Sequence, residues 1–233
     1  MDEVVQLLRE LVAIPSVNPC GKDVSGPVYL ETQVGNYVEE FLRKIGVDVE
    51  RQEVHPGRDN ILGRVRGKSK EKHFLLEAHT DTMPGDNMEF EPFKPFIEEG
   101  RLYGRGSCDT KGSLAAMMTS LKRIVERGVP EHSITLLASV DEEYQFTGIS
   151  HFIAREPLGN PGDLTAAIVG EPTARQIIIA HKGCVRWVLR THGVAAHSST
   201  PSDGVNALYR MAKALNALER FNLVELPKRH AAH

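Results

Sequence analysis

Three cysteines, Cys20, Cys108 and Cys184, are all that this 233-residue chain contains, and they are widely spaced with no CxxC pairing. An odd, scattered set of this kind excludes a disulfide framework and a thiolate zinc site, and it fits a reducing compartment. An excess of positive charge is also missing, since 28 Lys and Arg face 31 Asp and Glu for a formal net charge of -3. The basic residues are scattered and form no stripe, so nucleic acid is not an expected partner. No apolar run approaches the roughly 20 residues that a membrane span needs. The opening MDEVVQLLRE mixes acids into its apolar positions, unlike a signal peptide. No membrane partner is expected, and the expected location is cytoplasmic. Internal repeats and low-complexity segments are absent as well.

What remains is a balanced globular composition, 41% hydrophobic and 25% charged, long enough for one large domain or one domain plus part of another. Val4, Val5, Leu7, Leu8, Leu11 and Val12 recur at helical spacing. Val34, Tyr37, Val38, Phe41, Leu42 and Ile45 do so again before Gly46, which suits a helix end. β-rich runs follow at 47–54, 61–65 and 74–78, then a helix over 112–127 closed by Gly128 and a strand over 134–140. A helix near 149–155 and strands near 166–169 and 177–180 continue the alternation. This pattern predicts an α/β fold, a mostly parallel sheet flanked by helices. Further on, a strand over 184–192 is expected, and Val205, Leu208, Met211, Ala212, Leu215 and Leu218 form an apolar helical face.

Ligands of such sheets gather where strands end and loops begin. The run FLLEA delivers His79 and Asp81 of HTDT, ITLLASV delivers Asp141, Glu142 and Glu143 of DEE, and AAIVG delivers Glu171 of GEPT. The glycine-broken loop GRGSCDTKG places Asp109 just before a helix N-terminus. Three strand ends are thus expected to present acidic and imidazole groups to one crevice, whereas Asp109 comes from a loop of a different kind. Zinc takes both donor types and keeps a position open in catalytic sites. Two such ions about 3.5–4 Å apart share a carboxylate, polarise a carbonyl and acidify water. A carboxylate that does not ligate must then move the proton to the leaving amine. Of the adjacent Glu142 and Glu143, one suits a ligand and the other the base. Asp81 is placed to hold the second nitrogen of the His79 ring.

Each segment has a plainer reading when taken alone. His79 would be a satisfied strand-end histidine, Glu142 and Glu143 a solvated acidic turn, Glu171 a loop cap before Pro172, and His197 a surface histidine in a Ser-rich turn. His181 and Lys182 read as strand-end residues that shape the site. Cys108 invites a nucleophile reading, but no histidine is patterned to serve it, and a small buried residue is expected. GRGSCDTKG is neither a dinucleotide fingerprint, because Asp109 stands where the third glycine belongs, nor a phosphate loop, because Lys111 precedes Gly112.

The order of the segments decides among these readings. HTDT, GRGSCDTKG, DEE, GEPT and then an HSS-containing segment resemble the co-catalytic metallopeptidase family of aminoacylases, acetylornithine deacetylases, succinyl-diaminopimelate desuccinylases and glutamate carboxypeptidases. Within it, AHKG at 180–183 followed by GVAAHSSTPSDGVNA is most similar to the acetylornithine deacetylases. The resemblance implies two divalent metal ions, zinc first, with cobalt or manganese as alternatives, and an N-acyl amino acid as the small-molecule substrate. It implies that His79, Asp109, Glu143 and Glu171 are metal ligands, Asp109 bridging, with Glu142 as general base and Asp81 behind His79. It also implies a cis peptide between Asp109 and Thr110.

The same resemblance divides the chain into a catalytic metal-binding domain, 1–181, and the first part of a lid and dimerisation domain, 182–233. His197 would then reach a neighbouring subunit's site and stabilise the oxyanion in a homodimer of the full-length protein. The family's last histidine ligand has no counterpart here, since His230 and His233 lie in the polar tail KRHAAH. A fragment of a longer enzyme is therefore expected, its lid helix leaving apolar surface exposed. Three readings stay open: a metal-dependent amidohydrolase of deacylase or exopeptidase type, a metal-binding chain without turnover, and an α/β fragment whose acids are surface groups.

Overall fold

The computed structural model describes residues 2–155, 165–181 and 183–229. The chain divides into two compact units, Met1–Ile177 and Ile178–His233. Two amphipathic helices open the first unit, α1 (Glu3–Ala13) and α2 (Thr32–Lys44). Leu7 and Leu11 on α1, and Val34, Val38 and Leu42 on α2, are buried at four-residue spacing, so each helix turns one stripe inward. A hairpin of β1 (Asp48–His55) and β2 (Arg58–Val65) follows, then β3 (Ser69–His79). After a small hairpin, β4 (Phe96–Glu98) and β5 (Arg101–Tyr103), come α3 (Lys111–Glu126), β6 (His132–Ser139), α4 (Thr147–Arg155) and β7 (Ala166–Val169).

Five strands form one sheet in the order β1-β2-β6-β3-β7. The expected architecture, a sheet flanked by helices, is the one observed. β3 runs parallel to β6 and to β7, whereas β2 runs antiparallel to β1 and to β6. Parallel pairing therefore occupies the half built from β6, β3 and β7, and the other half is antiparallel. The cause lies in the connection: residues 56 and 57 alone join β1 to β2, and only an antiparallel partner can be reached through so short a loop.

Both faces of the central strands are buried, which explains why their apolar residues do not simply alternate with polar ones and why Asn60, Glu77 and Thr135 are buried among them. Ile61, Ala78, Leu136 and Ala138 pack with Leu11, Val38, Leu42, Leu114, Met118 and Leu121 of α1, α2 and α3. Their alternates Leu62, Leu75 and Leu137 pack with Phe152 of α4 on the opposite face. Period-two alternation thus sends neighbouring residues of one strand to different cores. Parallel β3, β6 and β7, each followed by a loop at the same edge, bring three chain segments to one end of the sheet.

The segments 177–180 and 184–192 were expected as strands and are not. Ile177, Ile178, Ile179, Val185, Trp187 and Val188 are exposed, and no ladder pairs them among the described residues. A β-rich composition becomes a strand only when a partner accepts its backbone hydrogen bonds. The β4–β5 hairpin was not anticipated. Glu99 and Gly100 both take positive φ, at 48° and 74°, as a tight two-residue turn requires, without the Asn-Gly signal that marks such turns. Stacked Phe96 and Tyr103 close it, with Phe90 edge-on to both.

In the second unit, α5 (Ala207–Arg220) occupies the place where the apolar helical face was expected, and the Asn206 side chain caps it by accepting from the Leu208 N–H. No residue of α5 is buried, and Leu208, Tyr209 and Leu215 are exposed. The exposed apolar face expected of this helix is observed. Lys182, His230 and His233 lie outside the described residues.

Candidate metal centre

His79 is the last residue of β3 and pairs across the parallel ladder with Ser139, the last residue of β6. Two residues beyond Ser139 the chain reaches Asp141, Glu142 and Glu143. Two residues beyond Val169, the end of β7, it reaches Glu171. Asp109 arrives from the loop before α3, and its peptide to Thr110 is cis, as the resemblance implied. The buried Thr110 hydroxyl donates to the Gly170 carbonyl at 2.6 Å, joining the residue after Asp109 to the residue before Glu171.

The histidine's two nitrogens have distinct partners. Nδ1 lies 2.9 Å from the Asp81 backbone oxygen, which can only accept, so Nδ1 carries a hydrogen. Nε2 is therefore the nitrogen that faces the carboxylates, 3.0 Å from Asp109 Oδ1 and 3.8 Å from Glu142 Oε2. The Asp81 carboxylate stands 3.5 Å from Nδ1 and is otherwise occupied. Its Oδ1 accepts from the Glu142 N–H at 3.1 Å, and its Oδ2 accepts from the Glu143 N–H at 3.0 Å and from Asn18 Nδ2 at 2.7 Å. Asp81 thus orients His79 through its main chain and the two glutamates through its side chain.

Among the described residues, two groups have ligand atoms that all lie within 4.8 Å of one another: His79, Asp109 and Glu143, and His79, Glu142 and Glu171. Because only Nε2 is turned toward them, His79 can serve one ion at a time. Burial pushes the Glu142, Glu143 and Glu171 carboxyls above their usual range. The adjacent acids add to it, Glu171 acting on Glu142, and Asp109 on Glu143 and Glu171. Burial alone would depress His79, but its hydrogen bonds to Asp109 and Asp81 hold the ring up at about 11. Asp81 goes the other way: despite its burial, contact with His79 and the donors from Asn18 and Glu143 hold it below the usual carboxylate range.

A buried imidazole that turns one nitrogen toward four crowded carboxylate residues is a donor set that a divalent cation of nitrogen-and-oxygen preference fits. His197 belongs to the second unit. It is exposed there, and its Nδ1 lies 2.7 Å from the Ser199 hydroxyl and accepts from the Ser199 N–H at 3.2 Å. His181 is exposed and outside any strand. Cys108 was expected to be buried and is exposed. The turn at 104–110 has no regular alternation to send that side chain inward.

Several residues behind the centre had no signal in the sequence. Glu31, 1% exposed, accepts a bidentate pair from Arg58 at 2.6 and 2.8 Å. Arg58 Nη1 also reaches Asp141 at 3.1 Å, and Asn18 Nδ2 bridges Asp141 to Asp81. Lys111, fully buried, donates to the carbonyls of Leu11 and Ile14 at the end of α1 and so ties that helix to the Asp109 loop. Arg58 and Lys111 each read as ordinary charged residues in the chain. Only the fold, which brings positions 27 and about 100 residues apart into contact, reveals their partners.

The sequence model described as Peptidase family M20/M25/M40 matches residues 75–226. An acetylornithine deacetylase of Proteus mirabilis is 34% identical over 218 residues, covering 92% of this chain and 54% of that protein. The chain spans about half the length of the curated relatives it matches. In fold it is similar to an M20 family metallo-carboxypeptidase from Sulfolobus solfataricus, with a TM-score of 0.61 and 24% identity, covering 72% of this chain and 37% of that one. It is likewise similar to a tripeptidase from Staphylococcus aureus, with a TM-score of 0.62 and 21% identity, covering 92% of this chain and 55% of that one.

Proposed function

The chain belongs to peptidase family M20/M25/M40, and from that premise we propose that it is the catalytic part of a metal-dependent amidohydrolase. The substrate we assign is an N-acyl amino acid, the acyl group being acetyl, after the acetylornithine deacetylases to which the chain is similar. The observation that carries this reading is the meeting of His79, Asp109, Glu142, Glu143 and Glu171 at one end of the sheet, with Nε2 of His79 facing the acids.

His79, Asp109, Glu143 and Glu171 would hold divalent cations, zinc by donor preference, with cobalt and manganese accepted by the same groups. A cation bound there supplies Lewis acidity, polarising the amide carbonyl and acidifying water. Everything else is done by the chain. The Asp81 carbonyl fixes the His79 ring by accepting from Nδ1, and the Asp81 carboxylate holds the main chain of Glu142 and Glu143. Glu142, 3.8 Å from Nε2 and grouped with His79 and Glu171, is assigned the general-base role because the family resemblance gives the ligand role to its neighbour Glu143. It takes a proton from water as the oxygen attacks the carbonyl carbon, then delivers it to the departing amine nitrogen as the C–N bond breaks.

On this reading residues 1–181 form the catalytic domain and 182–233 the start of a lid. In this proposal His197 serves a second subunit's site in a homodimer of the full-length protein, and the protein works in the cytoplasm. Among the described residues no helix is long and apolar enough to cross a membrane. The test is hydrolysis of N-acetylornithine by the chain loaded with Zn2+ or Co2+. Deacetylation that chelation abolishes and that Glu142→Gln lowers by about 10²–10⁴-fold, with metal still bound, is the expected result. Preference for a dipeptide would reassign the substrate within the family. Tight metal binding with no turnover of either would reduce the chain to a metal-binding one, and activity indifferent to chelation would sink the proposal.

A further inference from the structure

The turn that carries the two glutamates is held from behind in an unusual way. Asp141 takes a left-handed backbone conformation, φ 62°, which is uncommon for non-glycine residues and to which aspartate is better suited than most. Three successive N–H groups then point at buried carboxylates. The Asp141 N–H donates to Glu31 at 3.2 Å, and those of Glu142 and Glu143 donate to the two oxygens of Asp81. Asp141 itself is 1% exposed and its carboxylate touches no member of the ligand groups. Oδ1 accepts from Asn18 and Arg58, and Oδ2 accepts from the Thr147 hydroxyl at 2.6 Å.

Glu31, Asp81 and Asp141 are thus three buried acids packed around one short turn. The cation that touches two of them is Arg58, whose Nε and Nη2 hold Glu31 while Nη1 holds Asp141. Asn18 extends the chain of contacts. Its Oδ1 accepts from the Cys20 N–H at 2.8 Å, which fixes the amide orientation. Nδ2 then donates one hydrogen to Asp141 and the other to Asp81. Buried carboxylates of like charge can be stacked only if a fixed donor array compensates them.

We propose that Arg58 is a positioning residue for the metal centre: through Glu31, Asp141 and Asn18 it locks the turn that presents Glu142 and Glu143. The inference rests on the metal reading above and adds a residue about 84 positions upstream of the glutamates that touches no ligand. A planar fork with three engaged nitrogens does what lysine cannot, because an ammonium on a flexible stem cannot hold both acids in one plane.

The test uses Co2+ as a probe of the 233-residue chain, read by calorimetric titration and by the visible d–d spectrum, with far-UV circular dichroism to follow folding. Arg58→Lys should remain folded, bind Co2+ about 10–100-fold more weakly and change the shape or intensity of the d–d bands. Arg51→Lys, at an ion pair on the sheet surface, should leave both unchanged. Should Arg58→Lys fail to fold, Thr147→Val, which removes one donor to Asp141, decides the matter by the same readouts with a smaller loss. Wild-type affinity and spectrum in the folded variants would overturn the inference. Failure of the unsubstituted chain to bind Co2+ would instead overturn the metal reading, and this inference with it.

Discussion

Replacing Thr110 by valine removes one oxygen and keeps the branched shape. The residue is fully buried, and its hydroxyl donates to the Gly170 carbonyl at 2.6 Å. A buried carbonyl stripped of its donor costs about 1–3 kcal/mol, more than a typical net hydrogen bond, because its desolvation is no longer compensated. Against a total stability of order 5–15 kcal/mol this is readily measured. Urea unfolding should show a lower midpoint with an unchanged slope. The same bond ties the backbone after Asp109 to the backbone before Glu171, so the two acids should lose register together. Zn2+ affinity of the folded variant should fall by roughly 10–100-fold. A stability loss without any loss of affinity would make the bond a packing feature only. No loss of either would refute the reasoning that the two loops are held to each other here.

Gly148→Ala reverses the usual rule for a helix, in which alanine gains about 1 kcal/mol over glycine. A Cβ at 148 would sit 2.3 Å from the Val140 carbonyl oxygen and 2.7 Å from Asn60 Oδ1, so urea unfolding should show a net loss of about 1–3 kcal/mol. Glu39 is held below the usual carboxylate range chiefly by its hydrogen bond to Arg51. The stability it contributes is full above about pH 4.5 and is lost as pH falls through its depressed folded value. Glu39→Gln should therefore flatten the acid limb of a melting-temperature profile below that pH and cost at most about 1 kcal/mol near neutrality. Glu142→Gln should separate chemistry from binding, keeping the Co2+ stoichiometry of the parent while hydrolysis falls.

Much of the first unit is legible in the chain because its physics is local. The runs around Leu75 and Leu137 hold adjacent apolar residues because both faces of those strands are covered, and His79, Asp81 and the Asp141–Glu143 acids follow where those strands end. That is why HTDT, DEE and GEPT arrive at one edge of the sheet. The supports behind them are a different matter. Glu31, Arg58 and Asn18 are joined by contacts across the fold, and nothing in the neighbourhood of Arg58 distinguishes it from the surface residue Arg51. Spacing and the family resemblance both put Asp81 behind His79, yet its carboxylate serves the main chain of Glu142 and Glu143 and the ring takes its carbonyl. The hairpin at 96–103 carries little signal in the sequence, because its turn is Glu-Gly and its strands are three residues long. The segment 184–192 has the composition of a strand and lacks a partner among the described residues, a property that composition does not record.

On the proposed reading, the end of the sheet holds divalent metal through Nε2 of His79 and the surrounding acids. The most direct measurement is metal content after reconstitution with Zn2+ and removal of excess, determined by elemental analysis alongside His79→Ala and Asp109→Asn. At least one tightly held ion per chain is expected, lost in His79→Ala and weakened in Asp109→Asn while both variants keep their circular dichroism. A chain that retains no ion, or one whose ion survives both substitutions, would contradict it.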